Sequence, residues 1–334
     1  MKAFRVVLIV ILAVFGIAVQ VSAQGSSCLL GAATTTTGPV FPTWWFDCNN
    51  ILFLWICSYY PASCTPAAGA GETCPTCGSP TASTPISLAS GNTYIDEADI
   101  RIPGLNGGLS LVRTWNSVWP ATQTASQIGL FGPNWRSTYE ERIFVGSDNY
   151  VKYARSDGSF WSFAGPNPLT VAAPANEVAT LVYGPTNWTL TFKNGEQRVF
   201  NETSGNLVAI IDRNGNTTQL SYDAVNRLTT VTDPSSRTLT FTYQSPTSFL
   251  VTGVASSTGL SASYSYDTYG RLLQITEPDS STLSFQYDSH SLITAVTDSQ
   301  GKILESHTYD SAGRGLTGSR ANGVDMVTLS YGNP

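Results

Sequence analysis

Charge is what this sequence has least of. Asp, Glu, Lys and Arg make up 12% of the 334 residues, against roughly 25% in an average soluble domain. The 17 Lys and Arg do not offset the 23 Asp and Glu, and the formal charge is −6. Nucleic-acid binding draws its affinity from clustered cations that neutralise phosphates, and no basic stripe is present, so nucleic acid is excluded as the main partner. Histidine is scarce too, with two in the whole chain. There is no His-Glu-x-x-His motif and no glycine-rich phosphate loop. Beyond the amino terminus no uninterrupted apolar run reaches the length of a membrane helix, and long helix-favouring runs are missing. What remains is Thr, Ser, Tyr, Val, Gly and Asn, a mixture of strand formers and turn formers that predicts an all-β protein.

Lys2 and Arg5, an apolar run from Val6 to Val19 and the small-residue pattern Val21-Ser22-Ala23 open the chain. That is the layout of a secretory signal peptide over residues 1–23, so the mature chain is expected to be exported, to the cell surface, the periplasm or the medium, without a membrane span. Cysteine is confined to residues 24–80, at Cys28, Cys48, Cys57, Cys64, Cys74 and Cys77. An even number in a short exported segment predicts disulfides, and the sequence does not choose among the 15 pairings that six cysteines allow. Cys74-Pro75-Thr76-Cys77 has zinc-knuckle spacing but no second pair to complete a site, so no metal or cofactor is expected. From Ala67 to Pro85 the stretch rich in Gly, Pro, Ser and Thr reads as a linker.

Residues 81–199 alternate with period two. Leu109, Leu111 and Arg113 fall on one face, and Ser110, Val112 and Thr114 on the other. Ile143 to Val145, Tyr150 to Ala154, Phe160 to Phe163, Ala179 to Tyr183 and Thr189 to Phe192 continue the pattern, with Asp157-Gly158 and Asn194-Gly195 at hairpin turns. Over residues 200–334 the spacing becomes regular. An aromatic anchor recurs at Phe200, Tyr222, Tyr243, Tyr266, Tyr287, Tyr309 and Tyr331, at intervals of 22, 21, 23, 21, 22 and 22 residues. A fixed period in this range marks a repeat architecture.

Inside the unit an Asp follows the anchor and a Gly-Arg or Asn-Arg pair comes soon after: Asp223 with Asn226 and Arg227, Asp267 with Gly270 and Arg271, Asp310 with Gly313 and Arg314. Asp caps a turn through its side chain, and Gly or Asn takes the left-handed conformation that closes it. One strand, a second turn such as Asp233-Pro234-Ser235-Ser236, and a second strand with Leu239, Phe241 and Tyr243 inward against Thr238, Thr240 and Thr242 complete a hairpin. A single hairpin cannot bury its apolar face, so about six of them are expected to stack into one long, curved antiparallel sheet.

The Tyr-Asp-x-x-Gly/Asn-Arg pattern at 222–227, 266–271 and 309–314 resembles the YD repeats of the Rhs family, which includes bacterial polymorphic toxins, wall-associated proteins, the B and C components of Tc toxins and animal teneurins. Residues 85–163 are similar to the domain of unknown function that commonly precedes such repeats in bacterial members. That similarity rests on Pro85-Ile86, Ser90-Gly91-Asn92, Asp99, Arg113-Thr114-Trp115-Asn116-Ser117, Gly132-Pro133-Asn134-Trp135-Arg136, Tyr139 and Asp157-Gly158. The resemblance implies a strip of sheet that, in complete relatives, spirals into a hollow shell around a C-terminal cargo. The remainder of such a shell, or a C-terminal toxin, is then the expected partner, and the chain reads as the amino-terminal portion of a longer protein. Two turns depart from the pattern and are expected to be built differently: Gln244 follows Tyr243, and Ser289-His290-Ser291 stands where Gly-Arg would be.

No catalytic constellation emerges. His290 and His307 have no Cys or Ser motif keyed to them and are expected to be solvated. Asp96, Glu97 and Asp99 read as a solvated acidic strand edge, because adjacency in sequence does not set two carboxyls across a sugar. The sequence therefore predicts a non-enzymatic secreted shell or scaffold protein. The alternative is a carbohydrate-binding or adhesion module at the cell surface, in which the repeated tyrosines and Trp115, Trp119, Trp135, Trp161 and Trp188 would stack on sugars. The two differ in burial: packing tyrosines are covered, whereas sugar-binding ones line an open groove.

Overall fold

The computed structural model describes residues 86–88, 90–118, 128–146, 150–167, 170–173, 177–321 and 323–332. The signal peptide, all six cysteines and Trp119 lie outside them. The described part of Pro66–Phe144 forms one compact unit together with Val151–Pro334.

Apart from one 3-10 turn at Leu105–Gly107, the described elements are strands. A small antiparallel sheet holds Tyr94–Ile102, Leu109–Asn116 and Trp135–Ser137 in that order. The large sheet is a ladder in which each strand from Val151–Ala154 to Val324–Thr328 pairs antiparallel with the next. It runs without interruption through residue 199, so Ala179–Tyr183, Asn187–Phe192 and Gln197–Asn201 belong to the same sheet as the repeats. The all-β hairpin-repeat class read from the sequence is the one the chain adopts.

Each repeat contains one bulge. Tyr222 pairs with Leu228 while Ser221 pairs with Thr230, which leaves Thr229 unopposed. The same shift occurs at Tyr243/Val251, Tyr266/Leu272, Tyr287/Ile293 and Tyr309/Gly315. A bulge bends its strand and increases the twist. It also resets the alternation, so buried residues fall three apart: Leu228 and Val231, Val251 and Val254, Leu272 and Ile275, Ile293 and Val296.

Beyond the bulge the strands part. The ladder between Leu228–Thr232 and Thr238–Tyr243 begins at Thr230 opposite Thr240, and the Leu228 carbonyl lies past its end. The Tyr243 hydroxyl donates to that carbonyl at 2.7 Å. Tyr222, Tyr266, Tyr287, Tyr309 and Tyr331 donate in the same way to Leu207, Val251, Leu272, Ile293 and Gly315, at 2.6 to 2.9 Å. The period-locked tyrosine is thus a wedge whose ring fills the gap and whose hydroxyl satisfies a carbonyl the ladder cannot reach. Each such bond contributes about 1 kcal/mol net. Phe200, the first anchor, is fully buried and packs without a hydroxyl.

The turns that follow the anchors are built on the Asp side chain. Asp223 Oδ1 accepts the Val225 and Arg227 N–H groups at 3.0 and 2.9 Å, and Oδ2 accepts Arg227 Nε at 2.7 Å. Asn226, Gly270 and Gly313 take φ of 64°, 76° and 78°. Each arginine then lies over the next anchor: Arg227 is 4.7 Å from the Tyr243 ring, Arg271 4.9 Å from Tyr287 and Arg314 4.3 Å from Tyr331. The loop from Gln244 to Leu250 is longer and differs, as expected, closing through the Gln244 N–H to the Leu250 carbonyl. The Asp288 turn, also expected to differ, keeps the standard backbone. Asp288 Oδ1 accepts the His290 and Leu292 N–H groups, and Ser291 takes φ 66° in place of Gly. The Asp side chain fixes this turn firmly enough that a small residue tolerates the left-handed region.

Candidate functional site: the interface between the N-terminal sheet and the repeats

The apolar face of the repeats packs against the small sheet and its connecting segments in one core. Phe131 meets Tyr264 at 4.8 Å, Trp135 meets Phe285 at 5.3 Å and Trp115 meets Tyr309 at 6.3 Å, ring to ring. Backbone bonds accompany these contacts: Ile143 N–H to the Gly205 carbonyl, Val251 N–H to Leu130 and Gly315 N–H to Gly91, at 2.8 to 2.9 Å. At Gly132, φ is 95° and a Cβ would sit 2.5 Å from the Gly270 carbonyl, so this close approach requires glycine twice over.

An ion pair lies at the centre. The register of Tyr94–Ile102 slips between Ala98 and Ile100, and the bulge turns Asp99 inward beside Ile100, both buried. Arg113 Nε and Nη2 donate to its carboxylate at 2.6 and 2.8 Å. The guanidinium lies 4.6 Å from the Trp135 ring and 5.6 Å from Phe131. Tyr264, from the repeats, donates its hydroxyl to Asp99 Oδ2 at 2.6 Å. Burial acts to discharge Arg113, but the Asp99 carboxylate outweighs it and holds the guanidinium above its ordinary range. Glu97, opposite Arg113 in the register, is pushed up to about 7 by burial; Arg113 opposes this, and Asp99, Glu305 and Glu277 add to it.

A second cluster repeats the theme. Glu141 accepts the Tyr153 hydroxyl at 2.7 Å and Arg198 Nε at 3.0 Å, and burial pushes its carboxyl above the usual range. In both clusters a buried carboxylate is committed to an arginine and a tyrosine from a different element. Such an arrangement fixes two elements in register.

Two expectations are corrected. The Asp96–Asp99 segment is not a solvated edge: Asp96 is exposed, Glu97 is half-buried and Asp99 is buried, because the bulge overrides the alternation. His307 is not solvated either, at 2% exposure. It stands two residues before its anchor, where Leu220, Phe241, Tyr264 and Phe285 fill the inner face of other units. His290 is exposed, as expected. The anchors Tyr222, Tyr243, Tyr266, Tyr287 and Tyr309 are partly buried against the core; Trp115, Trp135 and Trp188 are buried and Trp161 packs alongside. These rings are engaged in packing. Among the described residues no His, Cys, Asp or Glu group has metal-binding proximity, and no helix is long and apolar enough to cross a membrane.

Hairpins joined by tyrosine wedges, with an N-terminal sheet locked onto their inner face, define a β-repeat scaffold. In comparison with known families, residues 83–163 match the domain of unknown function DUF6531, and residues 202–238, 222–245 and 266–303 match the RHS Repeat. Together these matches are those of an RHS-repeat, or YD-repeat, protein with this domain ahead of the repeats. Among curated proteins it is 29% identical over 141 residues to "tRNA nuclease WapA" of Bacillus subtilis and 30% identical over 141 residues to "tRNA3(Ser)-specific nuclease WapA" of Bacillus spizizenii. Each match covers 42% of this chain and 6% of the relative, so the chain spans a small fraction of their length. Among solved structures, a chain of the TcdB2–TccC3–Cdc42 crystal structure overlays 68% of this chain and 15% of its own, with 14% identity and a TM-score of 0.29. One from the Photorhabdus luminescens Tc holotoxin pore overlays 69% and 17%, with 13% identity and a TM-score of 0.27.

Proposed function

We propose that this chain is a non-enzymatic scaffold, the opening portion of an exported YD-repeat shell of a polymorphic-toxin or cell-surface system. One observation carries the reading: the polar chemistry on the inner face is spent on holding elements together. The buried carboxylates face arginines and tyrosines, and the anchor hydroxyls face backbone carbonyls. The partial similarity to proteins named tRNA nucleases supports an association with toxins. It covers 6% of the relative, so nuclease activity is not transferred to this chain. Its partner on this reading is the rest of the shell or a C-terminal toxin.

The test is to incubate the purified chain with total tRNA and, separately, to screen it on a glycan array. The scaffold reading expects intact tRNA and no saturable glycan binding. Cleavage of tRNA by the purified chain would overturn the non-enzymatic assignment. Saturable binding to one glycan class would instead establish the adhesion module.

A further inference from the structure

The unit anchored at Tyr309 puts ionisable groups where its neighbours put hydrocarbon. Two and four residues before Tyr243, Tyr266 and Tyr287 the inner face holds Phe241 with Leu239, Tyr264 with Ala262 and Phe285 with Leu283. Before Tyr309 it holds His307 with Glu305. The neighbouring strand changes too: Val254, Ile275 and Val296 oppose the three rings, whereas Gly318 opposes His307.

His307 is 2% exposed, and neither ring nitrogen has a hydrogen-bond partner. Its Nε2 lies 3.4 Å from Glu305 Oε2, which is itself buried without a hydrogen bond. Natural interiors rarely leave such groups unmet. One added proton changes the balance, because Nε2–H would then face a carboxylate about 0.5 Å beyond the range of a charge-assisted hydrogen bond.

The charges around the pair favour that proton. Glu97 of the N-terminal sheet feels Asp99, Glu305 and Glu277 as like charges. Against them stand Arg113, committed to Asp99 at 2.6 Å, and Arg320, largely exposed and 3.9 Å from Glu305 Oε1. The Tyr309 ring, 6.4 Å from the imidazole, brings no charge: burial holds its hydroxyl protonated, and Asp288 and Glu305 add to the effect. Burial opposes a charge on the imidazole, but carboxylates outnumber the cations free to answer them, and a positive ring is what this end of the interface lacks.

We propose that Glu305 and His307 form a proton-operated latch between the repeats and the N-terminal sheet. With a proton on both ring nitrogens the imidazolium closes on Glu305 and offsets its repulsion of Glu97, which holds Ile303–Tyr309 and Tyr94–Ile102 together. As pH rises the proton leaves to water, Glu305 and Glu97 face each other without a cation between them, and the interface loosens. A histidine that gains a partner on folding stabilises at low pH and loses that contribution as pH rises. The latch is therefore closed in mild acid and open in mild base.

The chain has two histidines, and exposed His290 is the internal control. Imidazole nitrogen-15 shifts of the full chain read the charge of each. At pH 6 His307 is expected to show two protonated nitrogens, and Glu305→Gln to return it to a neutral tautomer while His290 is unchanged. Hydrogen exchange reads the latch itself, in a Glu97→Gln background that removes the titration of Glu97. After correction for intrinsic rates, the amides of Ile303–Tyr309 should open about tenfold more often at pH 8 than at pH 6, the ratio that one charge-assisted hydrogen bond supplies. Adding Glu305→Leu and His307→Phe together, the pair that Leu283 and Phe285 form one unit earlier, should bring that ratio near one. This restored apolar pair also provides an answer should Glu305→Gln fail to fold. A neutral His307 in the native chain at pH 6, a His307 that stays charged in Glu305→Gln, or a tenfold ratio that survives the apolar pair overturns the proposal.

Discussion

Replacing Arg113 by Met would take the cation out of a site where the Asp99 side chain is 1% exposed. Asp99 would then keep one partner, the Tyr264 hydroxyl at 2.6 Å. Breaking a buried pair from one side costs about 3–5 kcal/mol, because the remaining charge stays desolvated. The lost stacking on Trp135 adds up to about 2 kcal/mol, and a methionine sulfur against the same ring recovers about 0.3–1.5 kcal/mol. A total near 3–5 kcal/mol lowers the melting midpoint of a domain this size by about 6–20 °C. The assay is thermal unfolding of the full chain followed by tryptophan fluorescence, to which Trp115 and Trp135, both fully buried at this interface, contribute. Adding Asp99→Asn to Arg113→Met should return at least half of the loss, since a neutral amide still accepts the Tyr264 hydroxyl. A single variant melting within about 3 °C of the native chain, or a double variant showing the sum of both losses, would refute the reasoning.

Glu97 makes stability depend on pH. Its folded value of about 7 stands above the ordinary 4.5, so its contribution is fully present below about 4.5 and is lost as pH rises through about 7. Urea denaturation of Glu97→Gln should therefore gain about 1–3 kcal/mol relative to the native chain between those limits; a difference that does not change with pH would sink the argument. Gly270→Val forces a β-branched residue to φ 76° and should cost about 1–3 kcal/mol. Gly132→Ala should cost more, because its Cβ would lie 2.5 Å from the Gly270 carbonyl, whereas the Gly270 Cβ meets only a Leu250 methyl at 3.5 Å. Thermal melts rank the two, and an unshifted Gly270→Val midpoint would count against the left-handed turn.

The period of the tyrosines, the alternation of Leu239, Phe241 and Tyr243 and the Asp turns were legible because each is a local pattern. The repeat bulges left a signal that strict alternation passes over: apolar residues three apart, at Leu228/Val231, Leu272/Ile275 and Ile293/Val296. His307 could have been recognised as an inner-face residue by its place two before an anchor. Asp99 could not. Nothing local distinguishes its bulge, and its partners Arg113 and Tyr264 lie 14 and 165 residues away. The Asp288 turn escapes a motif keyed to Gly-Arg, because the Asp side chain does the capping.

The repeats with Asn206, Leu250 or Leu292 in place of the arginine are easily mistaken for decayed copies, yet each is a place where something else covers the tyrosine. A half-exposed ring in a splayed ladder needs a neighbour, and a guanidinium held by its own Asp is the local solution, desolvated enough to stack. Where it is missing, the repeat can accept an outside element without first displacing a cation from its carboxylate. Arg142 of the N-terminal domain lies close enough to Tyr222 to draw on its hydroxyl electrostatically, the Leu130–Gly132 segment closes on Tyr266 and Gly270, and Trp115 meets Tyr309 edge-on. Regular repeats thus build sheet, and irregular repeats fix where the sheet binds other elements. On this logic the cost of adding an arginine depends on position. Leu250→Arg must compete with Leu130 and Gly132 for the same space and should loosen the N-terminal domain, and Leu292→Arg would put a charge where a buried leucine packs in the core.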